Sequence, residues 1–243
     1  MKEGAMTIKK LFFLGILLLA FLTACSQTGE SNVIFRDDFD GGLAEGWQWG
    51  NEDPSRWTIT DDGWLSITAS DATLKVKSDI IGMVNVLYRE APQGDFSLTS
   101  HLDADPQEDF QQAAIYLIRN GENYVAINTS FCAGCVPETG GYGIFMEAVK
   151  DNHPMLEQPY LPRDPSATDL YLRLVYSAQA NTITGYYALK EGDWQQAFVV
   201  QDAPPFDYVA VGATNAPGPH GVQNDLVAKF DWIEVSAVNE GSP

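Results

Sequence analysis

The sequence predicts an all-β sandwich or barrel, and three observations carry that prediction. No long segment of the 243 residues holds a sustained helical period of apolar residues. Gly, Pro, Asn and Asp interrupt the chain at short intervals, as they do between strands. Asn120-Gly121 stands between two alternating runs, the strongest short-range signal for a hairpin. The length suits a single sandwich, and neither an internal repeat nor a domain linker is visible.

The first 24 residues lie outside the fold. Lys9 and Lys10 precede an apolar run over 11–22, followed by small residues, which is the pattern of a secretory signal. The run is short of the roughly 20 apolar residues that span a bilayer. Leu22-Thr23-Ala24-Cys25 resembles the bacterial lipobox. That resemblance implies cleavage before Cys25 and lipid on its thiol and new amino terminus. The protein is then exported and lipid-anchored to the cell membrane or outer membrane, facing periplasm or exterior. Residues 25–32 read as a flexible tether, 33–236 as the sandwich and 237–243 as a tail.

Strands are expected over 33–38, 57–60, 64–68, 84–89 and 96–103, each bounded by turn residues. The central hairpin occupies 107–128. Because side chains alternate across a strand, Ala113, Ile115 and Leu117 share one face, with Gln112, Ala114 and Tyr116 on the other. Val125 and Ile127 likewise oppose Tyr124, Ala126 and Asn128. Further strands are expected over 142–150, 171–177, 182–189, 197–200, 208–214 and 227–235. Residues 151–168 carry Pro154, Pro159, Pro162 and Pro165 and read as an irregular connection, since proline interrupts a ladder. Glu191-Gly192-Asp193 reads as a hairpin turn.

The formal net charge is −19, and loss of residues 1–24 removes three Lys and one Glu and deepens it. Such acidity argues against nucleic acid as a partner, because phosphate binding needs basic patches. Cys132 and Cys135 remain once Cys25 is assigned to lipid, and a local disulfide is the expected state in an exported chain. A redox dithiol would want a helix N-terminus, whereas this pair follows a strand. Zinc would need two further ligands, and His101, His153 and His220 are scattered.

Several phrases resemble one known module. They are Asp37-Asp38-Phe39-Asp40-Gly41 before Trp47-Gln48-Trp49, and Asp53-Pro54-Ser55-Arg56-Trp57 before Gly63-Trp64-Leu65. Leu87-Tyr88-Arg89, Asp109-Phe110-Gln111-Gln112, Tyr171-Leu172-Arg173-Leu174 and Ala228-Lys229-Phe230-Asp231-Trp232 complete the series. The chain resembles the concanavalin A-like domain at the C-terminus of family 43 glycoside hydrolases, over about 35–235. The resemblance implies a jelly-roll β-sandwich of two antiparallel sheets, one concave and able to meet sugar. It departs from that pattern at residues 186–194 and in the 131–143 loop with its Cys pair. The family's catalytic propeller is not in this chain.

A concave face carrying Arg89, Gln112, Tyr116, Tyr124, Asn128, Glu147, Tyr171 and Arg173 is expected to hold a poly- or oligosaccharide. Bidentate polar groups suit hydroxyl pairs, and aromatic rings suit the apolar side of a sugar. The bland alternative is that Arg89 and Arg173 pair with Glu147 between strands. Of the six tryptophans, most are expected to pack the core, with Trp194 beside a turn the most exposed. The resemblance places Asp38 and Asp231 near a structural calcium; otherwise both bond turn amides. No other cofactor is expected. Glycoside hydrolysis usually needs two carboxyl groups flanking the scissile bond. The nearest approach to the Glu-x-Asp-x-x-Glu strand of family 16 glucanases is Glu191–Gln196, on a turn and ending in Gln. A non-catalytic, tethered glycan-binding lipoprotein is the first reading. A glycosidase or polysaccharide lyase, and a structural or protein-interaction lipoprotein, are the alternatives.

Overall fold

A computed structural model describes residues 32–70, 83–157, 159–215 and 223–238. The signal segment, Cys25, His220 and the last five residues lie outside the described residues. Among the described residues, sixteen strands run in chain order: β1 (Asn32–Asp37), β2 (Gln48–Gly50), β3 (Trp57–Ile59), β4 (Leu65–Thr68), β5 (Val86–Glu90), β6 (Phe96–Ala104), β7 (Gln112–Asn120) and β8 (Asn123–Phe131). Then come β9 (Tyr142–Lys150), β10 (His153–Pro154), β11 (Tyr160–Pro162), β12 (Asp169–Ser177), β13 (Thr182–Ala188), β14 (Gln195–Gln201), β15 (Tyr208–Thr214) and β16 (Val227–Ala237).

They form two eight-stranded antiparallel sheets. Sheet I runs β14-β13-β12-β6-β16-β4-β3, with β1 also paired to β16. Sheet II runs β10-β9-β8-β7-β15-β5-β2, with β11 also paired to β9. The inner faces meet in one core. Leu98, Leu102, Leu170, Leu172, Leu174 and Phe230 from sheet I pack on Ile115, Leu117, Val125, Ile127, Met146 and Val211 from sheet II. At Gly185 the sheets approach closely: a Cβ there would stand 2.7 Å from Met146 Sδ and 3.1 Å from Ile127 Cδ1.

Three differences from the sequence expectations have local causes. The hairpin turn falls one residue later than Asn120-Gly121, because Asn120 pairs with Asn123 after a bulge near Ile118. Neither Asn120 nor Gly121 takes a positive φ; instead Asn120 Oδ1 accepts the Glu122 N–H at 3.0 Å. The strand expected from 84 begins at Val86, since Asn85 is left-handed at φ 56° and buried. Its side-chain amide grips the backbone of Asp53, accepting its N–H at 2.7 Å and donating to its C=O at 3.0 Å. The 151–168 segment is not wholly irregular. It lays β10 and β11 along the edge of β9, where Pro154 and Pro162 can sit without donating to a further strand.

Candidate functional site

The structure divides the expected sugar face between opposite sides of the sandwich. Gln112, Tyr116, Tyr124, Asn128 and Glu147 point outward from sheet II, away from Ala113, Ile115 and Val125 in the core. Tyr171 and Arg173 point outward from sheet I, opposite in direction to Leu170, Leu172 and Leu174. Trp194 lies with them, on the β13–β14 connection. These residues therefore do not form one surface.

Arg89 belongs to neither face. It has the same parity as core Leu87 and pairs with core Val209, so it points between the sheets at their rim. There its guanidinium lies 3.3 Å from the Phe35 ring centroid and 5.5 Å from that of Trp47, with Nη1 buried and without a hydrogen-bond partner. Burial lowers its pKa, and Asp37 opposes that shift. Nor does either arginine pair with Glu147. Tyr124 Oη donates to Glu147 Oε2 at 2.8 Å, while Arg173 Nε donates to Thr99 Oγ1 at 3.0 Å.

Sheet II's outer face is largely closed. Tyr116 and Tyr124 are each 2% exposed and Asn128 is fully buried. Met83 covers Tyr116, accepting its hydroxyl at 3.6 Å, and reaches toward Gly212. The Asn128 amide oxygen and nitrogen both lack partners. Burial drives both phenols well above the ordinary tyrosine value, with the Glu147 charge adding to each. Gln112 and Glu147 are half-buried.

Sheet I presents the more open aromatic surface. His101, on β6 opposite Tyr171, stacks on that ring with centroids 4.4 Å apart. Trp64 lies 5.2 Å and Trp232 6.5 Å from His101, and Trp194 meets Tyr171 edge-on at 6.4 Å. Cations end the row: Arg36 sits 4.3 Å over Trp232 and Arg173 3.9 Å over Trp194. Trp64, Tyr171, Trp194 and Trp232 are all half-buried, so part of each ring meets solvent. Burial lowers the Arg173 pKa, while it raises that of Tyr171 together with the charges of Glu191, Asp169 and Asp231. The Tyr171 hydroxyl thus stays a donor at neutral pH.

His101 entered the sequence reading only where zinc was set aside, although alternation in β6 could have placed it on this face. Leu98 and Leu102 point inward and His101, being of opposite parity, points outward. Its Nδ1 lies 2.8 Å from Asp231 Oδ2 and its Nε2 2.5 Å from Asp169 Oδ1. That engagement bears on the calcium expectation. Asp231 faces His101, and Asp38 is held by Arg36 Nε at 2.9 Å and Nη2 at 2.7 Å. Each carboxylate already faces a basic group, a donor set that does not fit a shared hard cation wanting about six to eight oxygens. Among the described residues, no group of three or more His, Cys, Asp or Glu could hold a metal ion. The neighbour Asp37 holds its surroundings together instead: it is 6% exposed and accepts from Phe39 N, Ala44 N and Trp47 Nε1 at 2.8–2.9 Å.

Beyond β8, Cys132 and Cys135 are joined in a disulfide with Cα atoms 5.3 Å apart. Residues 189–194 turn between β13 and β14, with Gly192 at φ 85°, so Glu191 and Asp193 lie on a loop and not along a strand.

Residues 36–236 match the family model of the beta xylosidase C-terminal concanavalin A-like domain. The chain belongs to that family. This concanavalin A-like domain is similar in fold to the GH43 protein BlXynB of Bacillus licheniformis, at 23% identity and a TM-score of 0.67 over 84% of this chain. It is also similar to the xylan beta-1,4-xylosidase of Bacillus halodurans, at 17% identity and 0.62 over 83%. The chain spans only 39% and 38% of those two proteins. A Bacillus licheniformis beta-glucanase shares the fold along its whole length, at 10% identity and 0.59, with 86% of this chain covered. No curated protein matches the chain. A module of this family fits carbohydrate binding.

Proposed function

We propose that the protein is a surface-tethered lipoprotein whose concanavalin A-like domain binds neutral polysaccharide without cleaving it. The contact surface is the aromatic row on sheet I. One observation carries the reading: Trp194, Tyr171, Trp64 and Trp232 lie along one sheet face with part of each ring open to solvent. Partly exposed rings take the C–H face of a sugar, and Arg173 and Asp169 at their edges supply a donor and an acceptor for hydroxyls. The closed surface around Tyr116 and Asn128 offers no comparable platform. Asp169 and Asp231, the carboxylates nearest the row, both face one imidazole, so neither stands free to protonate a leaving group. Xylan-type chains are the first ligands to try, because similar structures carry xylosidase in their names.

The deciding experiment is calorimetric titration of the purified protein with xylo-oligosaccharides and a wider glycan panel, with product analysis on every ligand that binds. Weak binding without new reducing ends is expected. Trp194→Ala and Tyr171→Ala should each weaken it about threefold to tenfold, the scale of one lost ring or hydrogen bond. Full affinity in both folded variants would move the site off this face, and released sugar would make the protein an enzyme. The anchor has its own test. Cys25→Ser should release the protein from membranes or leave it unprocessed, and failure of labelled palmitate to enter the wild type would refute lipidation.

A further inference from the structure

On sheet II, a pocket of about 220 Å³ opens beside the β7–β8 turn, between the outer side of β9 and the loop after it. Its polar wall is Tyr124 and Glu147; Val149, Pro154, Leu156 and Pro159 form an apolar wall. The loop is pinned at both ends of the pocket. Met155 N donates to Ala148 O at 2.8 Å, and Met146 N donates to Pro159 O at 2.7 Å. Glu147 is half-buried and makes no ion pair among the described residues. One carboxylate oxygen takes the Tyr124 hydroxyl, and the other has no hydrogen-bond partner among the described residues. That oxygen is not among the buried polar atoms left without a partner, so it is open to solvent and within reach of a ligand hydroxyl entering the pocket.

We propose that this pocket takes one terminal ring of a neutral saccharide. Glu147 accepts hydrogen bonds from ring hydroxyls, and the wall of Leu156 and Pro159 packs on the ring's C–H face. Size selects a single ring. The space equals that of about seven waters and falls below the roughly 300–1,000 Å³ of sites for larger ligands. A lone carboxylate facing apolar walls also suits a small ammonium ion, and the experiment separates the two. The site is on the opposite sheet from the aromatic row and stands or falls without it.

The test is saturation-transfer NMR on the full-length, detergent-solubilised protein, with D-xylose, L-arabinose, D-galactose and D-glucose as separate probes and methylammonium as the cationic one. At least one neutral sugar should bind in the millimolar range. Glu147→Gln should weaken it about tenfold, the scale of a charge-assisted hydrogen bond. Leu156→Trp, which fills the pocket while leaving the Tyr124–Glu147 pair, should abolish it, and Trp194→Ala should leave it unchanged. No transfer from any sugar overturns the proposal. So does binding that survives Leu156→Trp in a folded protein, and so does methylammonium binding in place of the sugars.

Discussion

Tyr171 lies flat on the His101 imidazole, the planes 12° from parallel. The imidazole is itself pinned at both nitrogens, by Asp231 and Asp169. The orientation of the tyrosine thus depends on a ring it does not bond. His101→Ala would remove that backing and leave two carboxylates without their shared partner. Affinity for xylo-oligosaccharides should fall about threefold to tenfold, and urea denaturation should show a loss of about 1–3 kcal/mol. Unchanged affinity would mean that the stack does not set the platform.

Asp37 and Asp38 should behave as opposites. Asp37→Ala would strand three donors, the Phe39 and Ala44 amides and the Trp47 indole, in a half-buried corner. A loss of about 3 kcal/mol is expected. Asp38 pairs with Arg36 at the surface, and Asp38→Ala should cost less than about 1 kcal/mol. Paired urea melts of the two variants decide this.

Alkali should unfold the domain through Tyr116 and Tyr124. Burial first, and then the Glu147 charge, raises both phenols above their ordinary value of 10.0. The folded state favours the neutral phenol, whereas an unfolded chain ionises it near pH 10. The contribution of these two groups is therefore complete below that pH and is lost as pH rises toward the folded values. Two of the ten tyrosines should ionise only as the protein unfolds, read by tyrosinate absorbance against circular dichroism. Tyr116→Phe and Tyr124→Phe should each remove one late-titrating group.

Gly185→Ala should destabilise the domain by about 1–3 kcal/mol, the range for overpacking a filled core. The added methyl would push on Met146 Sδ and Ile127 Cδ1 across the two sheets. Gly192→Ala, on a turn with nothing within 4 Å of the new carbon, tests the φ of 85° alone. It should cost about 1 kcal/mol. Thermal melts of both variants separate the two causes.

Alternation told which side of the hairpin strands faces the core, and the structure agrees at Ile115, Val125 and Ile127. It could not tell to which sheet a strand belongs. In a sandwich both sheets turn their apolar sides to one interior, so polar residues of equal parity can point in opposite directions in space. Tyr171 and Tyr124 are separated for that reason. Arg89 was legible and misread: its parity with Leu87 placed it inward, and only its length and the rim position let a cation rest there. Asn85's left-handed turn depends on Asp53, a partner distant in the chain, which no local pattern encodes.

β1 begins where β16 ends, with Asn32 paired to Ala237. The first and last described strands therefore leave the sandwich from one pole, where Val238 N donates to Asp95 O. Trp194 follows the other end of β13, because β13 pairs from Thr182 with Ser177 to Ala188 with Tyr171. A lipid anchor on the proposed tether would be attached to the sandwich at the Asp95 pole. Trp194 and the disulfide loop stand at the opposite pole, so the aromatic row would reach away from the point of attachment.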